Sequence, residues 1–271
     1  MNTHSLDPLT PILHTVDRRG VHTLFLNRPA AFNALSAGML AALQTALDGI
    51  ACDGAARVVV LASSGKAFCA GHDLKDLYAN PQMAYCQRLF SQCTRMMLSL
   101  QNLPVPVIAR VQGLATAAGC QLVAQCDLAV ASASASFGVN GIDVGLFCAT
   151  PSVPLSRVMP AKQAMEMLLT GEFITAEEAR LRGLVNRVVP ADALDAGVEG
   201  LVGALLRKPK EALAMGKALF YRQRETGIEA AYQLAGQSMA CNMMHPVAQE
   251  GVQAFIDKRM PQWPASSSAS A

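Results

Sequence analysis

Short β-branched runs alternate with longer helical patterns in the first half of the chain. The runs predict strands at 21–27, 57–62, 105–111 and 128–133. Between the first two runs, apolar residues recur every three or four positions after Ser36, which predicts a helix with Ser36 as its N-cap. A second helical pattern covers about 78–100. The alternation predicts β-β-α or β-α-β units whose sheet is covered by helices.

The second half of the chain has mostly helical patterns. Thr175 and Glu178 have the spacing of a capping box, and Gly183 is placed to end the short helix that they begin. Pro209 can start another helix at its first turn. A last helical stretch is predicted over 239–260, with a restart at Pro246. These patterns predict one compact unit, with an α/β core at 12–190, a helical region at 191–262, a disordered or extended N-terminus at 1–11 and a disordered tail at 263–271.

The composition and charge limit the possible partners. Hydrophobic residues are 52% of the 271 residues and charged residues 15%, which excludes a disordered chain. No apolar run approaches the roughly 18 residues that a membrane-spanning helix needs, so we expect no membrane partner. The formal net charge is only +2, which argues against nucleic acid as a partner.

The cysteines predict neither a zinc site nor a disulfide framework. The eight cysteines form no C-x-x-C pair, and the five histidines do not cluster with them, so we expect no metal. The first 14 residues show no basic segment followed by an apolar one, and they include the acidic Asp7. We therefore expect a cytoplasmic protein with free thiols.

Two segments, 57–77 and 105–127, share the order of a β-run, small residues and the start of a helix. The N-terminus of a helix leaves backbone N–H groups free and adds the positive end of the helix dipole. Two such turns brought together could direct two N–H donors at one oxygen, which is an oxyanion hole. By itself the pattern favours the simpler interpretation, tight packing of two strand-to-helix turns, because turns of small residues are common.

The segment KAFCAGHDLKDL, which begins at Lys66, resembles the A-F-x-A-G-x-D-[LI]-K signature of the crotonase (enoyl-CoA hydratase/isomerase) superfamily. Further similar motifs follow in the family's order over about 12–260, and the resemblance is greatest to the enoyl-CoA hydratase domain-containing subgroup. It implies an α/β fold, a spiral of ββα turns with a C-terminal helical trimerisation region. It also implies acyl-CoA thioesters as small-molecule substrates, coenzyme A as part of the substrate with no separate cofactor, and a homotrimer or dimer of trimers.

The resemblance also implies roles for individual residues. The two backbone N–H donors of the family's oxyanion hole match His72 and Ala118. A backbone N–H does not depend on its side chain, so both residue types can keep the role. The positions that line coenzyme A in relatives, partly from a neighbouring subunit, match Lys66, Ala70, Leu74, Lys75, Phe255 and Lys258.

The chain departs from the family's pattern at its acids. Relatives that hydrate enoyl thioesters use two glutamates, and the matching positions hold Gln121 and Gly141. A third acid of some relatives would fall near Ala149. Glutamine cannot accept a proton from water at neutral pH. Because losing one positioned acid or base costs about 10²- to 10⁴-fold, we expect weak hydratase activity.

Few residues could substitute for the missing acids. Asp143 is the nearest carboxylate in the sequence, although a loop aspartate is more often a cap or turn residue. Cys148 falls near the tyrosine of decarboxylating relatives, but a small core residue is the simpler interpretation. We interpret Glu166 as a structural or rim carboxylate. Three functions stay open: a lyase or isomerase of fatty acid metabolism like enoyl-CoA hydratase, a decarboxylase or other enzyme of the same family, and a non-catalytic acyl-CoA-binding or assembly subunit.

Overall fold

The computed structural model describes residues 10–263, so most of the expected N-terminal extension and tail lies outside the described residues. The first part of the chain consists of successive strand–strand–helix units. The first two units are β1 (Ile12–Val16), β2 (Val21–Leu26) and α1 (Ala37–Cys52), then β3 (Val58–Ser63), β4 (Ala67–Cys69), α2 (Leu74–Ala79) and α3 (Met83–Asn102). The next two are β5 (Val107–Val111), β6 (Leu114–Thr116) and α4 (Ala118–Gln125), then β7 (Leu128–Ser132), β8 (Ser136–Gly138) and α5 (Ala149–Val158).

The remaining elements are mostly helical. They are α6 (Ala161–Thr170), β9 (Ile174–Thr175), α7 (Ala176–Leu181), β10 (Arg187–Val189), α8 (Leu194–Leu206), α9 (Lys210–Gln223), α10 (Ile228–Met243) and α11 (Pro246–Ile256). No helix within residues 10–263 combines the length and apolar character needed to cross a membrane.

The two strands of each later unit separate into two sheets. One sheet has the order β1-β2-β3-β5-β7-β10, and the other has the order β4-β6-β8-β9. The large sheet is parallel from β2 to β10, with Leu61 of β3 paired to Ala109 of β5. β3 is buried along its whole length, as expected for a parallel strand covered on both faces. This arrangement confirms the expected spiral of ββα turns.

Helices cover both faces of the large sheet. The main core includes Leu43 of α1 and Leu61 of β3, whereas a smaller cluster includes Val130 of β7 and Val198 of α8. The strands β4 and β6 lie in the small sheet, and each ends in a turn that leads into a helix. The small sheet therefore places the turns after β4 and β6 side by side.

The local signals are mostly confirmed. The Ser36 hydroxyl accepts the Met39 N–H at 3.3 Å, and Thr175 and Glu178 form both bonds of a capping box. The helix predicted at about 78–100 is present as α3 but begins later, at Met83, because α2 ends at Ala79 and Pro81 follows. The last helical stretch begins earlier than predicted, at the start of α10, and restarts at Pro246 as α11, as predicted.

Candidate active site

The turns after β4 and β6 meet at a cavity of about 400 Å³. Gly71, in the first turn, has a φ of +88°, and a Cβ atom built on it would lie 3.1 Å from the backbone nitrogen of Ala118. The same Cβ would lie 2.8 Å from the Cβ of Ala117. Glycine therefore allows both the backbone conformation and the close approach of the two turns. As a result, His72 and Ala118 line the same cavity.

The backbone N–H groups of His72 and Ala118 have no hydrogen-bond acceptor within residues 10–263. Ala118 is the first residue of α4, where a helix leaves its N–H groups without internal partners. The helix dipole adds positive potential at the same end. Free donors of this kind stabilise negative charge that develops on an oxygen atom.

Backbone hydrogen bonds fix the turn that carries His72. The Leu35 N–H donates to the Gly71 carbonyl at 2.7 Å, and the Ala70 N–H donates to the Phe32 carbonyl at 3.0 Å. The buried Asn33 side chain stabilises the loop that contains Phe32 and Leu35. The Asn33 side-chain amide donates to the carbonyl of Ser64, just after β3, at 2.8 Å and to that of Ala67, the first residue of β4, at 2.9 Å. The first turn thus has little freedom to move relative to the small sheet.

The second turn contains an unusual backbone conformation. Ala117 has φ 50° and ψ −120°, a region that residues with a Cβ atom rarely adopt. The positive φ lies at Ala117 and not at Ala118, which is helical. At Gly119, a Cβ atom would lie 2.1 Å from the Cys69 carbonyl oxygen, so glycine lets α4 pack directly on β4.

Neutral groups surround the cavity. Its apolar walls include Leu77 of α2, Phe90 of α3 and Phe147 of the loop before α5. At its polar side, the Thr116 hydroxyl donates to the side-chain oxygen of Asn140 at 2.6 Å. No Asp, Glu, Lys or Arg side chain from residues 10–263 lines it.

Among the described residues that line the cavity, His72 and Cys148 carry the titratable side chains, and burial keeps both neutral near pH 7. Burial lowers the pKa of the His72 imidazole, whose ring packs edge-on against Phe90 with centroids 5.2 Å apart. The Leu35 backbone acts against this pKa shift, and both ring nitrogens are buried. Burial raises the pKa of the Cys148 thiol, so Cys148 is not an activated thiolate.

The model of the enoyl-CoA hydratase/isomerase family matches residues 17–266. The chain belongs to this family. It is 43% identical over 254 residues to "Enoyl-CoA hydratase domain-containing protein 3, mitochondrial" of Xenopus laevis, covering 94% of this chain and 86% of the relative. A crystal structure of enoyl-CoA hydratase from Mycobacterium smegmatis has a TM-score of 0.92 and 61% identity, covering 93% of this chain and 98% of that one. The structure of human enoyl-CoA hydratase domain-containing protein 3 has a TM-score of 0.90 and 42% identity, covering 93% of this chain and 100% of that one.

These similarities confirm the resemblance found in the sequence and the fold class that it implies. No group of three or more His, Cys, Asp or Glu side chains in residues 10–263 is arranged to hold a metal ion.

The positions matched to the family's two glutamates differ in their surroundings. Gln121 is buried on α4 with no partner for its side-chain oxygen, and it does not line the cavity. Gly141 lines the cavity, but a Cβ atom there would lie 2.5 Å from the Leu146 carbonyl oxygen. A glutamate at position 141 therefore requires the loop at 140–148 to move. Asp143 is exposed, and its carboxylate lies beside Gly171 instead of lining the cavity.

The residues matched to coenzyme A contacts divide into two groups. Ala70 and Leu74 line the cavity, whereas Lys66 and Lys75 are exposed outside its lining. The C-terminal pair, Phe255 and Lys258, is also outside the lining, and Phe255 is 85% exposed.

Some functional residues gave little signal in the sequence. Phe90 belongs to a helical pattern that gives no indication of a nearby site. The hydrogen bond between Thr116 and Asn140 joins residues 24 positions apart, in two different ββα units. Ala149 lines the cavity, whereas Glu166 lies on α6, where it pairs with Arg182 at 3.1 Å. The carboxylate at 166 is therefore a structural or rim group.

Proposed function

We propose that this protein binds acyl-CoA thioesters and stabilises a thioester enolate with the backbone N–H groups of His72 and Ala118. The observation that supports the proposal is the presence of these two unpaired donors at one largely apolar cavity. Negative charge on the carbonyl oxygen grows as an enolate forms. Donors that are already fixed in place therefore stabilise the enolate more than the bound thioester.

The other residues that line the cavity determine which reaction steps the site can accelerate. Apolar walls receive the acyl chain and exclude water, which strengthens the hydrogen bonds to the oxygen. Hydration of an enoyl thioester also needs a base for water and an acid for the α-carbon. His72 and Cys148 are neutral, and no carboxylate of residues 10–263 lines the cavity. We therefore expect hydration of crotonyl-CoA to be several orders of magnitude slower than in relatives with two glutamates.

The lack of a carboxylate at the cavity also favours two other functions. In a decarboxylation, the bond between the α-carbon and CO₂ breaks and its electron pair forms the enolate, so no carboxylate base is needed. A non-catalytic acyl-CoA-binding or assembly subunit needs neither acid nor base. In either case we propose a cytoplasmic homotrimer or dimer of trimers, although the vertebrate relatives are named as mitochondrial proteins.

Removal of one N–H donor tests the proposal. Proline is tolerated at the first residue of a helix and has no N–H. We expect Ala118→Pro to weaken acetyl-CoA binding about 10-fold in calorimetry, which corresponds to one lost hydrogen bond of about 1.4 kcal/mol. Free coenzyme A has no thioester carbonyl, so its affinity should not change.

The matched control is Ala161→Pro, which introduces the same residue at the exposed first position of α6. Circular dichroism establishes that both variants keep their helices. No heat with millimolar acetyl-CoA or a medium-chain acyl-CoA would refute binding, and equal effects of the two prolines would refute the role of the Ala118 N–H. A mass-spectrometric screen of enoyl, malonyl-type and β-hydroxy thioesters then separates the three functions.

A further inference from the structure

Two histidines contact each other on the β1–β2 hairpin, away from the cavity described above. His14 lies on β1 and His22 on β2, and the Nε2 atom of His14 is 3.0 Å from the Nδ1 atom of His22. Their ring centroids are 5.2 Å apart. Neither residue lines the cavity between the turns after β4 and β6. The pair is therefore a cluster of metal-binding groups that the proposed function does not use.

A carboxylate lies on the far side of the buried ring. Asp53, directly after α1, has its Oδ2 atom 3.1 Å from the Nε2 atom of His22. The other carboxylate oxygen of Asp53 accepts the Ala55 N–H at 2.8 Å, which holds the side chain in place. With its proton on Nε2, towards this carboxylate, His22 presents the lone pair of Nδ1 to His14. Metal-binding histidines usually have an outer carboxylate of this kind, because it fixes the tautomer and the orientation of the ring.

The two histidines differ in their exposure to solvent. His22 is only 3% exposed, whereas His14 is an exposed residue. The buried ring is therefore a fixed ligand. The exposed ring can rotate about its side-chain torsions, so an ion can enter between the two nitrogens from the solvent side.

The separation of the two nitrogens indicates the kind of ion. Two metal–imidazole bonds of about 2.0–2.1 Å that meet at about 90° place their nitrogens about 3.0 Å apart. This is the observed separation, and 90° angles are typical of Cu²⁺ and Ni²⁺. A tetrahedral Zn²⁺ ion needs about 3.3 Å. Because residues 10–263 contain no group of three or more ligating side chains, water molecules complete the coordination.

We propose that His14 and His22 form a binding site for a divalent transition-metal ion of the copper and nickel type. The ion takes the place of the hydrogen between the two rings. Bonds form from the ion to Nε2 of His14 and Nδ1 of His22, and the proton of His14 moves to Nδ1 of its own ring. The bound ion joins β1 to β2, so it stabilises the folded chain. The inference does not depend on acyl-CoA binding.

Calorimetry with NiCl₂ on the full chain tests the site. Nickel is the probe because Cu²⁺ oxidises thiols and Zn²⁺ binds them, and the described chain has free cysteines. We expect one Ni²⁺ ion to bind per chain. An excess of CaCl₂ should not compete, because Ca²⁺ takes oxygen ligands.

Variants assign the ion to the histidine pair. His14→Ala removes an exposed ligand, and we expect it to weaken Ni²⁺ binding at least about 10-fold. Asp53→Asn keeps an acceptor for the Ala55 N–H but removes the charge behind His22, and we expect a loss of about 10-fold. Thr15→Ala, at an exposed position of the same strand, is the matched control and should leave the affinity unchanged.

A second measurement checks the link to the fold. In urea denaturation, NiCl₂ should raise the unfolding midpoint of the wild-type protein and leave that of His14→Ala unchanged. Acetyl-CoA binding should be equal in these two proteins, so a failure of the metal site is distinguishable from a failure of the proposed function.

Several outcomes would overturn the site. One is the absence of heat with millimolar NiCl₂, and another is an unchanged affinity in His14→Ala. Loss of binding in His4→Ala would place the ion at the N-terminus of the chain instead. An unchanged affinity in Asp53→Asn would overturn the part assigned to the carboxylate.

Discussion

At the scale of single residues, the site is shaped by backbone conformation as much as by side chains. Gly71 and Gly119 let two turns and a helix approach closely, and Ala117 takes a positive φ to direct the chain into α4. Such conformations cost about 1–3 kcal/mol in a residue with a Cβ atom. The strain at Ala117 lies directly before the N–H that we propose binds the thioester oxygen.

Replacing Ala117 with glycine should relieve this strain. Glycine costs about 0.5–1 kcal/mol through its freedom in the unfolded chain, which is less than the strain that it removes. We expect Ala117→Gly to raise the free energy of unfolding by about 1 kcal/mol in urea denaturation. Ala118→Gly, one residue later but helical, should lower it by about 1 kcal/mol. Equal losses in the two variants would mean that Ala117 is not strained.

The sequence predicts some features at this scale and not others. Its small-residue turns, together with the family resemblance, pointed to His72 and Ala118, which lie at one cavity. The sequence does not indicate the positive φ of Ala117, because an alanine in the sequence is no sign of a strained turn. The sequence also does not indicate the role of Asn33, since its partners, the carbonyls of Ser64 and Ala67, lie more than 30 residues away in the chain.

At the scale of elements, one buried ion pair attaches α9 to the core. The Lys217 ammonium donates to the Asp127 carboxylate at 2.6 Å and to the carbonyls of Leu100 and Val105 at 2.9 and 3.0 Å. The Tyr221 hydroxyl, one turn further along α9, donates to the other oxygen of Asp127 at 2.8 Å. Burial lowers the pKa of Lys217, and Asp127 acts against this shift. The pair therefore links the C-terminal helices to the loop before β7.

Removing the lysine should weaken that link. Lys217→Met leaves Asp127 with the Tyr221 hydroxyl and one backbone N–H as partners, but without a balancing charge. Breaking a buried pair in this way typically costs about 3–5 kcal/mol, and we expect about 3 because two donors remain. Urea denaturation at fixed protein concentration measures the change. Lys208→Met, at an exposed position without an ion pair in residues 10–263, should change stability by less than about 0.5 kcal/mol. A similar small effect at 217 would contradict the anchoring role.

Element length explains which parts of the fold the sequence predicts. The four predicted strands appear in the large sheet as β2, β3, β5 and β7, because each has five or six residues, most of them buried. The strands β4, β6 and β8 have three residues each, too few for a periodic pattern. The positions of these three strands are determined by residues that are close in space and distant in the sequence. These short strands position the site, so the sequence pattern alone could not build it.

At the scale of the whole molecule, α10 leaves an apolar face uncovered. Ile228, Tyr232, Met239 and Met243 are exposed on α10, with Tyr232 74% exposed and Met239 71%. Their separations of four, seven and four residues place them on one side of the helix. An exposed apolar stripe of this kind marks a protein–protein contact. It supports the expectation that copies of this chain associate through the C-terminal helices.

Acidic substitutions on that stripe should reduce association. Analytical ultracentrifugation of the wild-type protein should give three or six times the 28.6 kDa mass of one chain. Tyr232→Glu combined with Met239→Glu places two charges where apolar contact is expected, so we expect a shift toward the mass of one chain. Tyr78→Glu is the matched control, because Tyr78 is 90% exposed on α2, outside the C-terminal helices, and its replacement should leave the mass unchanged. A monomeric wild-type protein would contradict the trimer, whereas a double variant of unchanged mass would place the contact on another face.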